Sequence, residues 1–583
     1  MRPTSQIGTD RYQAPAAAAV SYGHPMTSAP VEVRDSRVDR IANTYLERRA
    51  ALDPIMATNV GLTGYDHLMP DLSPAGCAAR AELDRATLDE LAALPDDGDE
   101  TDHVTVAALR ERLGLALELY ESGEDERDLN VIASAPQNVR AVFDLMDTAS
   151  ADGWQTITTR LGAVPAALQG YTESLRLAAS RGQVAAHRQL EKVAAECEEF
   201  AADDGFFATF VADAPAEHVG QDSDLQNVAS EAAAAYQALA DFLRTDLLPQ
   251  APGEDAVGRD RYALASRVFL GATVDLDETY QWGLEELARI EAEMAQVADQ
   301  IVSGGDVDAA VEALDADPAL TIHGKEAFRD WMQAMADGAV SALAGSQFDI
   351  PDAIRRIDCK MAPTTSGGIY YTGPSEDFTR PGAMWWAVPK GVDDFSTWRQ
   401  VTVVYHEGVP GHHLQVAQTA YRRDLLNRWR RFGCWVSGHG EGWALYAERL
   451  MAELGYLEEP GARLGMLDSQ ALRATRVVVD LGIHLGLTAP EEVGGGTWDA
   501  DKAWQFLRRH TRVEEKQLRF ELDRYLGWPG QAPSYKVGER IWLQLRDDMR
   551  EREGDAFDLV AFHRQALDLG SVGLDVLREG LLN

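Results

Sequence analysis

Cysteine is scarce in this chain. There are four in 583 residues (Cys77, Cys197, Cys359 and Cys434), and no two of them form a CxxC pair. A thiolate zinc site and a disulfide framework are therefore excluded as organising devices, and a reducing compartment is expected. Basic side chains are also in deficit. Lys and Arg number 54 against 94 Asp and Glu, which leaves a formal net charge of −40. Such a surface repels phosphates and anionic lipid, so neither nucleic acid nor a membrane is an expected partner. No apolar run reaches the ~18 residues that a spanning helix needs. The opening stretch from Met1 to Pro30 has no apolar core of the kind a signal peptide carries, so a cytoplasmic location is expected. Residues 1–35, rich in Ala, Pro, Ser and Thr, read as a flexible tail.

What the chain does have is hydrophobic side chains, 45% of the total, enough for a large core. From about Val38 onward apolar residues recur at three- and four-residue spacing among Ala, Leu, Glu and Arg, as in Val104 to Tyr120, Leu225 to Leu248 and Asp277 to Val302. That is the period of amphipathic helices. Leu94 to His103 and Pro249 to Asp260 read as loops. Tyr421 to Gly433 reads as an arginine-rich helix whose charges are paired. Between Ile350 and Val404 the texture changes. The segments IRRIDCKM, GGIYYTGP and RPGAMWWAVP mix β-branched and aromatic residues with Gly and Pro, and predict short strands and turns. The expected fold is mainly α, a large helical body with a deep central cleft and a small sheet or hairpin region near the active site. A division into a helical part over 36–349 and a catalytic part over 350–583 is one reading, and a single domain over 36–583 is the other.

Of the thirteen histidines, four fall between positions 406 and 439. The segment runs HEGVPGHH, His406 to His413, and is followed by GHGEGWALYAE. A His-Glu pair, further histidines and a glutamate some thirty residues on have the composition of a mononuclear zinc hydrolase. Two imidazoles and a carboxylate hold the ion, one position stays open, and an unligated Glu serves as base. The usual HExxH spacing is absent, because position 410 is Pro. On a regular helix His412, at i+6, points about 120° away from His406, and His413, at i+7, sits about 10 Å further along the axis. Pro410-Gly411 supplies a distortion, since Pro removes a donor and Gly permits unusual backbone angles. If the two residues bulge out, His412 takes the second ligand position, with His413 the alternative. Glu407, next to His406, is placed to act as general base. Glu441 is the expected third ligand, carried on a helix whose glycines allow close approach to the metal helix. Glu448, one heptad on, is expected either to support a ligand histidine or to be a solvated surface carboxylate.

These segments resemble the bacterial domain-of-unknown-function-885 family, grouped with the zincin-like metallopeptidases. The resemblance rests on LDPIMATNVGLTGYDHLMPDLS, PSEDFTRPGAMWW, HEGVPGHHLQ, EGWALYAE, RVVVDLGIHLG and RYLGWPGQAPSYKVGE, and spans nearly the whole chain after the tail. It implies a helical body with a central cleft, similar in kind to carboxypeptidase Taq, thimet oligopeptidase and angiotensin-converting enzyme, and peptidase-like chemistry. It does not hand down a substrate. Trp385-Trp386 departs from the family's pattern and suggests an altered cleft wall.

Candidate roles then fall on further residues. Tyr535 would stabilise an oxyanion, Lys536 would hold a substrate carboxylate, and Arg524, Tyr525 and His439 would contact substrate. The resulting expectation is a Zn²⁺-dependent hydrolase that cleaves short peptides. A hydrolase of another small amide or ester and a catalytically silent helical binding protein are the alternatives.

Overall fold

The computed structural model describes residues 33–215, 217–218, 224–362 and 368–582, so nearly all of the expected tail lies outside the described residues. The chain enters its first helix, Arg37–Leu52, through a capping box in which the Ser36 side chain and the Asp39 backbone and carboxylate satisfy one another. Helices dominate thereafter. The periodic segments fold at Glu100–Ser122, Leu225–Phe242 and Leu276–Ile301. The first of these begins within the stretch read as loop, because Asp99 caps it through the amide of Asp102. The arginine-rich stretch is not a helix. Only a wide turn at Trp429–Gly433 is helical, and the preceding residues are extended or turned. Three of its five arginines, Arg422, Arg428 and Arg431, have acidic partners. Arg422 meets Asp568, Arg428 meets Glu47, Arg431 meets Glu376, and buried Arg430 donates to Thr105. Satisfying these guanidinium groups outweighs the local helical preference.

The helices that position the site are α1 (Leu276–Ile301), α2 (Thr397–Glu407), α3 (His412–Tyr421), α4 (Ser437–Glu453), α5 (Pro460–His484), α6 (Glu515–Gly527) and α7 (Ser534–Glu553). Strands β1 (Thr321–His323) and β5 (Asp394–Ser396) pair antiparallel. Strands β2 (Ile357–Met361), β3 (Ile369–Thr372) and β4 (Gly382–Trp386) form a sheet in the order β2-β4-β3, with β2–β4 parallel and β3–β4 antiparallel. The β2–β3–β4 sheet occupies the three segments whose texture broke the helical pattern.

One hydrophobic core runs from Ala42 to Leu581 and joins the early helices to α1–α7 and the sheet. A second cluster gathers the helices between Leu129 and Leu247. Glycine sets the closest helix crossings. A Cβ on Gly538 of α7 would stand 2.1 Å from the carbonyl oxygen of Gly438 in α4, and one on Gly442 would stand 2.4 Å from the Gly538 carbonyl carbon. Gly438 and Gly442 of GHGEG therefore serve the contact of α4 with α7, and Gly440 makes room for the Trp435 ring. The tryptophan pair is divided by the two-residue period of β4. Trp386 is buried edge-on against Phe328, whereas Trp385 stacks on Tyr370 and donates its indole N–H to Thr372 Oγ1.

Candidate metal centre

The site is made where α2 stops and α3 starts. Val404 O still accepts from the amide of Gly408 in the ordinary way. Tyr405 O instead accepts from Gly411, six residues on, at 3.0 Å, and Gly408 O accepts from His413 at 3.1 Å. Only glycine fits at 411, since a Cβ there would meet His406 O at 1.9 Å. The Pro410 carbonyl turned out by the bulge is caught from α4, while Gly411 O also accepts from the Gln415 amide. The Trp443 indole N–H lies 2.8 Å from Pro410 O and 3.2 Å from Gly411 O. A buried carbonyl without a partner costs about 1–3 kcal/mol, so this one donor, shared by two carbonyls, helps hold the break between the helices.

Because two extra residues are accommodated, α3 begins with His412 facing His406. Their rings lie 4.8 Å apart, centroid to centroid, and perpendicular. Glu441, on the first turn of α4, completes the cluster. Its Oε2 is 3.4 Å from His406 Nε2 and 3.4 Å from His412 Nε2. All three ligand atoms lie within 4.8 Å of one another. A tetrahedral zinc ion with bonds of about 2.0–2.1 Å sets its ligand atoms about 3.3–3.4 Å apart, so the donor set and its spacing fit that ion. Glu441 Oε2 and Glu407 Oε2 are buried and have no hydrogen-bond partner among the described residues. A buried carboxylate oxygen left without a donor is costly, and the arrangement accords with a cation between the three side chains.

The surrounding charges set the protonation. Burial alone would lower His406, yet Glu441, Glu448 and Glu407 raise it to about 10 when no metal is present. Burial would raise Glu441, but His412 and His406 hold it well below the usual carboxylate range. A cation bound there replaces the shared proton. His406 is oriented from behind: its Nδ1–H donates to Glu448 Oε1 at 2.7 Å, and the other oxygen of Glu448 accepts from Thr402 at 2.6 Å. This presents Nε2 to the cluster as a lone pair. Glu407 binds neither histidine. Burial pushes its carboxyl above the usual range, in the direction that suits a proton acceptor near neutrality.

Other expected site residues are distributed unevenly. His413 is turned away: Nε2 donates to Ile354 O at 2.8 Å and Nδ1 accepts from the Tyr371 hydroxyl at 2.9 Å, so neither nitrogen is free for a metal. Burial lowers it to about 4. His439 does not reach the cluster either. It lies two residues before Glu441 on another face of α4, donates to Val572 O and packs against Trp542. Tyr535, at the start of α7, stands close enough to Glu441 for that carboxylate to add to the burial that raises its phenol. The ring rests over the guanidinium of Arg476, 4.9 Å away, with Arg524 at 5.8 Å. Arg524 is itself bound to Glu521 and Gln531. Tyr525 is fully buried, donating to Glu521 and accepting from Arg476. Lys536 is buried between Gln470, Glu539 and Glu286. Tyr525 and Lys536 therefore brace α5, α6 and α7, held there by acidic partners inside the fold.

Two residues near the cluster escaped the sequence reading. Trp435 is half exposed, with its ring against Gly440 and 6.2 Å from that of His412, so the site opens beside it. Arg473 sits on α5, one turn before Arg476. It has no acidic residue three or four positions away on its helix, a signal visible in a chain so rich in Asp and Glu. A surface depression elsewhere, about 410 Å³ beside Tyr120, Glu126 and Arg181, is lined by none of these residues.

Fold and site together define a mainly α protein with a buried two-histidine, one-carboxylate cluster at a break between helices. The chain belongs to the family of bacterial proteins of unknown function DUF885, whose model matches residues 54–581. No curated protein matches it. Among solved structures it is similar to a candidate lipoprotein from Colwellia psychrerythraea, with a TM-score of 0.79 and 22% identity over 94% of this chain and 98% of that one. It is also similar to a candidate lipoprotein of unknown function from Shewanella oneidensis, with a TM-score of 0.70 and 17% identity over 94% and 100%. Among the described residues no helix is long and apolar enough to cross a membrane.

Proposed function

We propose that this protein is a zinc-dependent hydrolase of the zincin-like kind and that it cleaves short peptides. The observation that carries the reading is the convergence of His406 Nε2 and His412 Nε2 on Glu441 Oε2, each 3.4 Å from it and all three within 4.8 Å of one another, with the unpartnered Oε2 of Glu407 beside them. A zinc ion held there would polarise the scissile carbonyl and ease ionisation of water at neutral pH. Glu407 takes the proton of the attacking water and returns it to the leaving amine. Tyr535, held over Arg476, presents its hydroxyl to the oxygen of the carbonyl under attack. Glu448 keeps His406 in one tautomer and one orientation throughout. Four free, buried cysteines accord with action in a reducing compartment, for which we propose the cytoplasm.

The test is metal analysis of the purified protein beside assay of a panel of short peptides and small esters. One zinc per chain with peptide turnover supports the reading. Turnover of esters alone would move it to the non-peptide alternative, and a folded protein without metal or turnover would overturn it.

A further inference from the structure

We propose that Arg473 binds a carboxylate of the substrate, so that the protein acts on peptides carrying a negative charge beside the bond to be cleaved. The proposal deepens the hydrolase reading of the same site and rests on it for the word substrate, but it stands on the state of one side chain.

Helix α5 packs along α2, the helix that carries His406. Gly465 meets the backbone of α2, where a Cβ would lie 2.3 Å from Trp398 O, and about three turns further on Arg476 lies under Tyr535. Arg473 is on this stretch, on the same face as Arg476 by the three-residue spacing. Its charge reaches Glu407, Glu448, Tyr535 and Asp468. Of the acidic groups within that reach, two are already committed and the third, Glu407, is turned to the cluster with its Oε2 unpartnered. Glu448 holds His406 and Thr402, and Asp468 holds Arg399 and Arg512. The neighbouring cations are equally committed. Arg476 and Arg524 share Glu521, and Lys536 takes Glu539 and Glu286. Arg473 is the exception. Its guanidinium bonds only to Ser469 of its own helix, its Nε is buried without a partner, and no carboxylate lies in contact with it among the described residues.

Arg430 and Arg160 are also buried without a carboxylate in contact, but both are satisfied by neutral acceptors from other elements, whereas partly buried Arg473 reaches only its own helix. Five donors in a fixed fork, two of them satisfied locally, leave the geometry that grips a carboxylate through two parallel bonds. A peptide offers that group at its C-terminus or on an Asp or Glu side chain.

Calorimetric titration of the zinc-loaded full chain tests this without requiring turnover, so failure of the peptidase reading does not obscure it. One pair of probes is acetylphenylalanine and its amide, which reports a terminal carboxylate. The other is acetylglutamate amide and acetylglutamine amide, which reports a side-chain carboxylate. At least one pair should show the acid binding more than tenfold tighter than its neutral partner. Arg473→Gln should bring that ratio close to one without changing zinc content or the circular dichroism spectrum, and Arg473→Lys should keep part of it. The pair that responds identifies the source of the carboxylate. Equal binding within both pairs overturns the proposal. So does a preference that survives intact in Arg473→Gln, since the carboxylate would then be held by something other than Arg473. If Arg473→Gln does not fold, a full preference in Arg473→Lys counts against the forked grip and a reduced one supports it.

Discussion

The amide of Gly411 donates to the carbonyl of Tyr405 across six residues, where a regular helix would span four. The two residues gained bring His412 to the place that the second histidine of an HExxH helix occupies. Geometry of this kind makes the ligand set testable. His406→Ala, His412→Ala and Glu441→Ala should each lose zinc, because a site with three protein ligands rarely survives on two. His413→Ala should retain it, since both ring nitrogens of His413 are engaged elsewhere. Metal content measured with circular dichroism checks the set, and loss of zinc in His413→Ala alone would reverse the assignment.

Glu407→Gln should keep zinc and fold while lowering kcat by about 10²–10⁴, the range that a positioned base contributes. The amide is nearly isosteric with the acid but cannot accept a proton. Turnover within a few-fold of the parent protein would remove Glu407 from the reaction.

Glu448 acts through His406. Replacing it by Gln keeps an acceptor for Nδ1–H but removes the charge, and Ala removes both. Zinc affinity should fall by about 10–100-fold in Glu448→Ala and by less in Glu448→Gln, as measured by competition with a chelator. Equal, undiminished affinity in both would show that the orientation of His406 has another origin.

Trp443 is the least obvious of the residues that make the site. Trp443→Phe keeps most of the buried ring but removes the donor to Pro410 O and Gly411 O. The expected cost is about 1–3 kcal/mol, read as a lower urea midpoint, together with weaker zinc binding because the bulge loosens. A stability loss with unchanged zinc affinity would separate the tryptophan from the metal site.

A pH dependence follows from Asp480, which is fully buried on α5 and accepts from the Tyr262 hydroxyl at 2.6 Å and the Gly530 amide at 3.0 Å. Burial pushes its carboxyl up to about 7. A folded pKa above the unfolded one means that the native state holds the extra proton between about pH 4 and 7. The stability this group contributes is complete below its unfolded pKa and is lost as pH rises through 7. Asp480→Asn has no proton to lose. Its stability relative to the parent should therefore rise between pH 5 and pH 9, by on the order of 2–4 kcal/mol. Urea unfolding of both proteins at the two pH values gives the difference directly, and a constant difference would contradict the shift.

Helical periodicity, capping residues and Gly-Pro punctuation are local properties, so the helices, the three central strands and the break at Pro410-Gly411 were legible in the chain. The chemistry of HEGVPGHH and the following Glu was legible too, because ligand types and a helix breaker are written in order along the sequence. Pairing over long distances was not. The sequence offered Lys536, Tyr525 and His439 as groups for a substrate, and the fold committed them to Glu539, Glu521 and Val572. It showed that Arg473 lacks an acidic partner on its own helix, but whether Asp or Glu from another element would supply one was decided only when α2, α4 and α5 came together. Likewise the indole N–H of the tryptophan of EGW finds the bulge only because α4 crosses the end of α2. A local pattern fixes which atoms a residue offers, and the packing of distant elements fixes which of those atoms are left free.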